Sequence, residues 1–151
     1  MGKISIVIPV YRGARTVGPL VDRIEQELLG RRELEIVLVN DGSPDDSAAV
    51  CRDLTRTRPH LRFLDLARNF SEHNAVMAGL NHASGDAIVI MDDDFQNPPS
   101  EILKLVEKID AGAMGEIFRG RHCVLGHTVA VKVMIPDAAR DGSSTQRFLR
   151  E

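Results

Sequence analysis

Cysteine is scarce in this chain, and the two present, Cys51 and Cys123, lie far apart with no metal-ligand spacing around them. That excludes a disulfide scaffold and points to two reduced thiols in a cytoplasmic protein. The five histidines form no HExxH or similar pair, which removes the usual zinc sites. No apolar run approaches the ~20 residues that a membrane helix needs. The start passes from MGK straight into ISIVIPVY, without an apolar segment followed by a cleavage site, so the expected location is the cytoplasm. Basic residues are not clustered, and a net charge of -3 with pI near 5.9 gives no electrostatic case for nucleic acid or an anionic membrane.

What is present is the composition of a soluble globular protein: 151 residues, 43% hydrophobic and 27% charged. A compact chain of this length buries roughly two-thirds of its unfolded surface.

The first 109 residues alternate short apolar strands with amphipathic helices. The strand candidates are ISIVIPV (4–10), EIVLVN (35–40), LRFLDLA (61–67) and DAIVIMD (86–92). Three are near-continuous aliphatic runs, as expected where helices cover both faces of a parallel sheet. Val17, Leu20, Val21, Ile24 and Leu28 follow the helical period and Gly30 stops them. A second helix is expected from Asp45 to Ser47 onward, burying Val50 and Leu54, and a third from Glu72 to Ala83, with Val76, Leu80 and Ala83 inward. Pro98-Pro99-Ser100 opens a fourth, with Ile102, Val106 and Ile109 on one face. Four such units predict a doubly wound α/β sheet.

After Gly112 the pattern changes. Two strand-like stretches (115–119 and 127–135), joined by a turn with Leu125-Gly126, read as a hairpin, and a polar loop and helix follow. The junction EKIDAGAMGEIFRG (107–120) has two readings, a helix tail stopping at glycine or a glycine-rich phosphate loop.

In an open α/β sheet, ligands bind beyond the carboxyl ends of the strands, where strand order reverses. Here strand one ends in Pro9-Val10-Tyr11, strand two in Asn40-Asp41-Gly42-Ser43 and strand four in Asp92-Asp93-Asp94. Adjacent carboxylates repel unless a cation lies between them. Asp92 and Asp94 therefore point to Mg2+ or Mn2+, which typically takes one or two carboxylates plus a substrate diphosphate. The bland alternative is a solvated loop leading into a helix. Asp41 could accept hydrogen bonds from a base or ribose and Tyr11 could offer a stacking face, although NDGS is also a good turn by itself. Arg68-Asn69 after strand three could add polar contacts, or simply be solvated.

The blocks IPVYRG, VNDGSPDDS, LARNFSEHNAVMAGLNHASGD and IVIMDDDFQNPPSEI together resemble family 2 glycosyltransferases, in the polyprenyl-phosphate sugar transferase branch, over about residues 3–112. The resemblance implies the Rossmann-like parallel-sheet half of a GT-A fold, binding a UDP- or GDP-sugar with Mg2+ or Mn2+. By that resemblance Pro9, Tyr11 and Asp41 hold the nucleoside, Asp92 and Asp94 form the DxD pair, and Gln96 lies beside the diphosphate. It further implies a polyprenyl-phosphate acceptor at the cytoplasmic face of a membrane. One departure is Arg12-Gly13-Ala14-Arg15, where such enzymes commonly carry an acidic residue after the tyrosine. The family's acceptor-binding second half does not follow, so binding of the sugar donor with little or no turnover is expected.

Residues 112–151 resemble instead the N-lobe of bacterial Ser/Thr protein kinases: GAMGEIFRG the glycine loop, TVAVKVM the third strand and RFLRE the start of αC. That resemblance implies ATP-phosphate contacts from Gly112, Gly115 and Lys132, with Glu151 pairing with the lysine. Asp110 occupies the loop's first glycine position, where a carboxylate repels phosphate, and no catalytic loop follows, so kinase activity is not expected. The expected organisation is thus a nucleotide-sugar-binding segment (1–111) followed by a kinase-like fragment (112–151). The alternatives are an ATP-binding fragment or a fusion without selected activity.

Overall fold

The computed structural model describes residues 2–94, 99–102 and 104, together with the backbone of 117–121 and 128–132. The described elements run β1 (Ile4–Val10), α1 (Val17–Leu28), β2 (Leu34–Asn40), α2 (Ser47–Thr57), β3 (Leu61–Asp65), α3 (Glu72–His82), β4 (Ala87–Ile90), β5 (Ile117–Arg121) and β6 (Thr128–Lys132).

They form one sheet of order β3-β2-β1-β4-β6-β5. The first four strands pair in parallel, with Ile4 opposite Leu34 on one side and Ala87 on the other. β1 and β2 are covered on both faces, with all seven residues of each buried, and β1 lies between β2 and β4. Ile4, Ile6, Ile8 and Val10 pack with Val17, Leu20, Val21, Ile24 and Leu28 of α1. Val7, pointing the other way, packs with Val37, Val39, Ala75, Leu80 and Ile88. The period of two along the strand therefore feeds two cores, one per face. Each fully buried aliphatic side chain contributes about 1.5–3 kcal/mol.

The expected hairpin is present as β5 and β6, antiparallel, and β6 lies parallel against β4 with Ala87 opposite Thr128. These strands thus extend the same sheet.

Two expectations about helix faces are corrected. In α2 the fully buried residues are Ser47 and Cys51, while Val50 and Leu54 are only half-buried at the core's edge. In α3 Leu80 is buried and Ala83 follows at the helix end, but Val76 is half-buried and Ala75 and Gly79 take the inward face. Burial pushes the Cys51 thiol up to about 12, with the negative charges of Asp65, Asp93 and Asp45 adding to it, so it stays a protonated thiol. Of the fourth helix, residues 100–102 and 104 are helical, with Ile102 buried; Val106 and Ile109 lie outside the described residues, as does Cys123.

Gly79 lets α3 lie directly on the sheet. A Cβ there would collide with Val7 Cγ1 and lie 3.1 Å from Val39 Cγ2. Gly79→Ala is expected to cost about 1–3 kcal/mol through overpacking despite the helix propensity it gains. Urea unfolding checks this, and a variant as stable as wild type would contradict the close approach.

Candidate functional site

The chain runs β1, β2, β3 outward, then crosses back to place β4 on the other flank of β1. That reversal opens a crevice beyond the carboxyl ends of the strands. It measures about 410 Å³ and is lined by Pro9, Val10 and Tyr11 after β1, Asp41 after β2, Asn69, Ser71 and Glu72 before and at the start of α3, and Asp92, Asp93 and Asp94 after β4. Pro9, Tyr11, Asp41, Asp92 and Asp94, which the sequence singled out from different segments, are brought together here. Gln96, Gly112, Gly115 and Glu151 lie outside the described residues; Lys132 is described only as the backbone of β6, opposite Ile117.

Hydrogen bonds lock the first two loops together. Consecutive amides of Arg12, Gly13 and Ala14 donate to Ser43 Oγ (3.1 Å), Ser47 Oγ (2.9 Å) and Asp45 Oδ2 (3.3 Å). The Asp41 amide donates to the Val10 carbonyl at 2.9 Å. Tyr11 emerges from this frame 46% exposed, with the Arg12 guanidinium 5.5 Å from its ring centroid. Arg12 itself is held at φ +56, an uncommon conformation for a residue with a side chain.

Asp41 is buried, and its Oδ1 accepts the Phe70 amide at 2.7 Å. The side chain expected to meet a nucleoside thus also ties down the β3–α3 loop. That loop supplies Asn69, Ser71 and Glu72; from the sequence Glu72 is expected only as a helix start, and Ser71 is given no separate role. Ser71 sits at φ +85, and no pattern in the sequence signals it.

Where Glu72 meets the end of β4 the crevice is acidic. Burial raises the pKa of Glu72, and the charges of Asp92 and Asp94 add to it. Asp92 is raised by burial and then by Asp94, while a hydrogen bond with Glu72 opposes the shift. That bond needs a proton between two carboxyls. Asp93 is raised by burial and by Asp94, and its Oδ2 is buried with no hydrogen-bond partner. A Cβ on Gly13 would collide with that same oxygen, so the middle aspartate is turned against the first loop.

These features fit a divalent cation in one specific way. Among the described residues, no group of three or more His, Cys, Asp or Glu is arranged to hold an ion. Mutually repelling carboxylates with an incomplete protein ligand set suit a hard cation whose remaining oxygens come from elsewhere, such as a diphosphate.

The sequence profile of glycosyl transferase family 2 matches residues 5–134. The chain belongs to glycosyl transferase family 2. As a family 2 chain it is 46% identical over 113 residues to the undecaprenyl-phosphate 4-deoxy-4-formamido-L-arabinose transferase of Enterobacter sp. (strain 638), covering 73% of this chain and 34% of that protein. The same-named protein of Klebsiella pneumoniae (strain 342) is 43% identical with the same coverage. The chain therefore spans about a third of the length of the curated relatives it matches. In structure it is similar to the Pyrobaculum calidifontis mannosyltransferase PcManGT in complex with GDP-Man and Mn2+ (TM-score 0.55, 27% identity, 60% of this chain and 27% of that one). It also shares the GT-A fold of S. aureus TarS 1-349 (TM-score 0.62, 20% identity, 89% of this chain and 38% of that one).

Proposed function

We propose that this family 2 chain binds a nucleotide-diphosphate sugar, a UDP- or GDP-sugar, together with Mg2+ or Mn2+. The observation that carries the reading is the convergence of Tyr11, Asp41, Asp92 and Asp94 on one crevice at the strand ends. Pro9, Tyr11 and Asp41 hold the nucleoside, and Asp92 and Asp94 hold the cation. Bound there, the ion supplies charge neutralisation to the diphosphate leaving group. The chain's own part is to present a stacking face, a buried hydrogen-bond acceptor and a preformed acidic wall, so that little reorganisation accompanies binding. The names of the relatives and the GDP-Man and Mn2+ complex of PcManGT support this ligand class. Gln96 is proposed to lie beside the diphosphate.

The sugar is transferred, in this reading, to a polyprenyl phosphate at the cytoplasmic face of a membrane. Among the described residues no helix is long and apolar enough to cross one. With about a third of the relatives' length matched, binding of the sugar donor is the activity to measure first. Residues 1–111 are assigned that binding; 112–151 keep their resemblance to a kinase N-lobe, with Gly112, Gly115, Lys132 and Glu151 as its phosphate contacts.

Thermal unfolding with UDP, GDP and ATP, each with and without Mn2+, tests the proposal. UDP or GDP with Mn2+ is expected to raise the melting temperature, since a ligand at a hundredfold over Kd adds about 2.7 kcal/mol. No response to UDP and GDP sinks the reading. Stabilisation by ATP alone assigns the nucleotide site to residues 112–151.

A further inference from the structure

We propose that Gly42 is a positioning residue for the crevice: its bare Cα is the seat on which the β3–α3 loop rests, and that seat aims Asn69, Ser71 and Glu72 at the ligand. Gly42 stands at φ +62, in the left-handed region that glycine enters without a Cβ penalty. A Cβ there would lie 2.7 Å from Arg68 Cα and closer still to Arg68 C and Asn69 N. All three are backbone atoms, so no side-chain rotation relieves the collision; the loop itself has to move.

Three hydrogen bonds fix the seat from its flanks. Asn40 Oδ1 accepts the Ser43 amide at 3.3 Å, closing the turn around Gly42, and the Asn40 carbonyl accepts the Leu66 amide at 3.0 Å. On the far side Asp41 Oδ1 accepts the Phe70 amide at 2.7 Å. The loop between Leu66 and Phe70 is thereby clamped at both ends and in the middle, although Arg68, Asn69 and Phe70 are exposed. Ser71 at φ +85 then turns the chain so that Ser71 and Glu72 reach the crevice. Strain of this kind persists only where surrounding contacts over-determine it, and the seat supplies those contacts.

The ligand in the test rests on the proposed function, but the seat does not. Hydrogen exchange on ligand-free wild-type protein is expected to show a slow Phe70 amide inside an exposed loop. Gly42→Ala and Gly42→Asn are both expected to lose that protection and to bind Mn2+-UDP or Mn2+-GDP about tenfold or more weakly. Core amides of β1 and β2 should keep their protection in both variants, which separates repositioning from general destabilisation. Asparagine tolerates φ > 0 but still carries a Cβ. Wild-type binding and protection in Gly42→Asn would therefore assign the effect to backbone conformation and overturn the proposal. An unprotected Phe70 amide in wild type overturns it even if Gly42→Ala fails to fold. If wild type binds neither nucleotide, the functional reading fails while the Phe70 measurement still judges the seat.

Discussion

Asp94→Asn is expected to remove the Mn2+-dependent part of nucleotide binding, weakening it by roughly a hundredfold, while leaving the metal-free protein at least as stable as wild type. The two effects share one cause. Without a cation, the Asp94 charge pushes up the pKa values of Asp92, Asp93 and Glu72, each of which is already raised by burial. Replacing the carboxylate by an amide relieves that repulsion. With a cation, the same charge is the attraction that holds it, and a metal's charge stabilisation amounts to several kcal/mol, of which about 3 kcal/mol is the hundredfold. Calorimetric titration of nucleotide with and without Mn2+, beside a melting curve of the metal-free variant, reads both signs. If the variant keeps the wild-type metal response, Asp94 is a solvated loop residue.

Much of this site was legible because strand ends are legible. The continuous apolar runs of β1 and β2 end where those strands stop, and that of β4 ends close to it, and so they place Tyr11, Asp41 and Asp92 to Asp94 together. The ends of β3 and β4 were read too long, through 67 and 92, whereas the strands close at Asp65 and Ile90. One further bond continues each ladder, from Leu66 to Asn40 and from Met91 to Val7. The phase of α2 was misread for a chemical reason. Apolarity favours Val50 and Leu54, but Ser47 is drawn inward to take the Gly13 amide, and Cys51, four residues on, shares its face. A hydrogen bond from the first loop to the first residue of the helix thus accompanies its roll. The sequence offers Asn69 as a polar contact after strand three, but not Ser71 and Glu72, because the close approach at Gly42 and the positive φ at Ser71 leave no periodic trace.

At the opposite end of the sheet, Glu35→Ala is expected to cost about 3–5 kcal/mol, the range for breaking a buried charge network by removing one partner. Glu35 is 2% exposed on β2, next to Ser5 of β1. Its carboxylate accepts from the Ser5 hydroxyl, from the Ser84 amide (2.8 Å) and hydroxyl (2.9 Å), and pairs with Lys3 Nζ (3.2 Å) and Arg62 Nε (2.9 Å). Ser5 Oγ in turn accepts the Gly85 amide at 2.8 Å, so one side chain ties together the starts of β1 and β2 and the turn into β4. Burial alone raises this carboxyl, but the hydrogen bonds from Ser5, Ser84 and Lys3 outweigh it and pull the pKa from 4.5 to about 2. A carboxyl depressed in the folded state stabilises fully above its unfolded pKa, and loses that contribution as pH falls toward the folded one. Here the window runs from 4.5 down to about 2, and the contribution is about 3 kcal/mol. Glu35→Gln cannot titrate, so the stability gap between it and wild type should narrow on acidification, with more than half of the titrating part gone by about pH 3. Urea unfolding of both proteins between about pH 6 and pH 3 measures that gap. A gap independent of pH would mean that Glu35 holds the strands together through shape and neutral hydrogen bonds, with its charge contributing nothing.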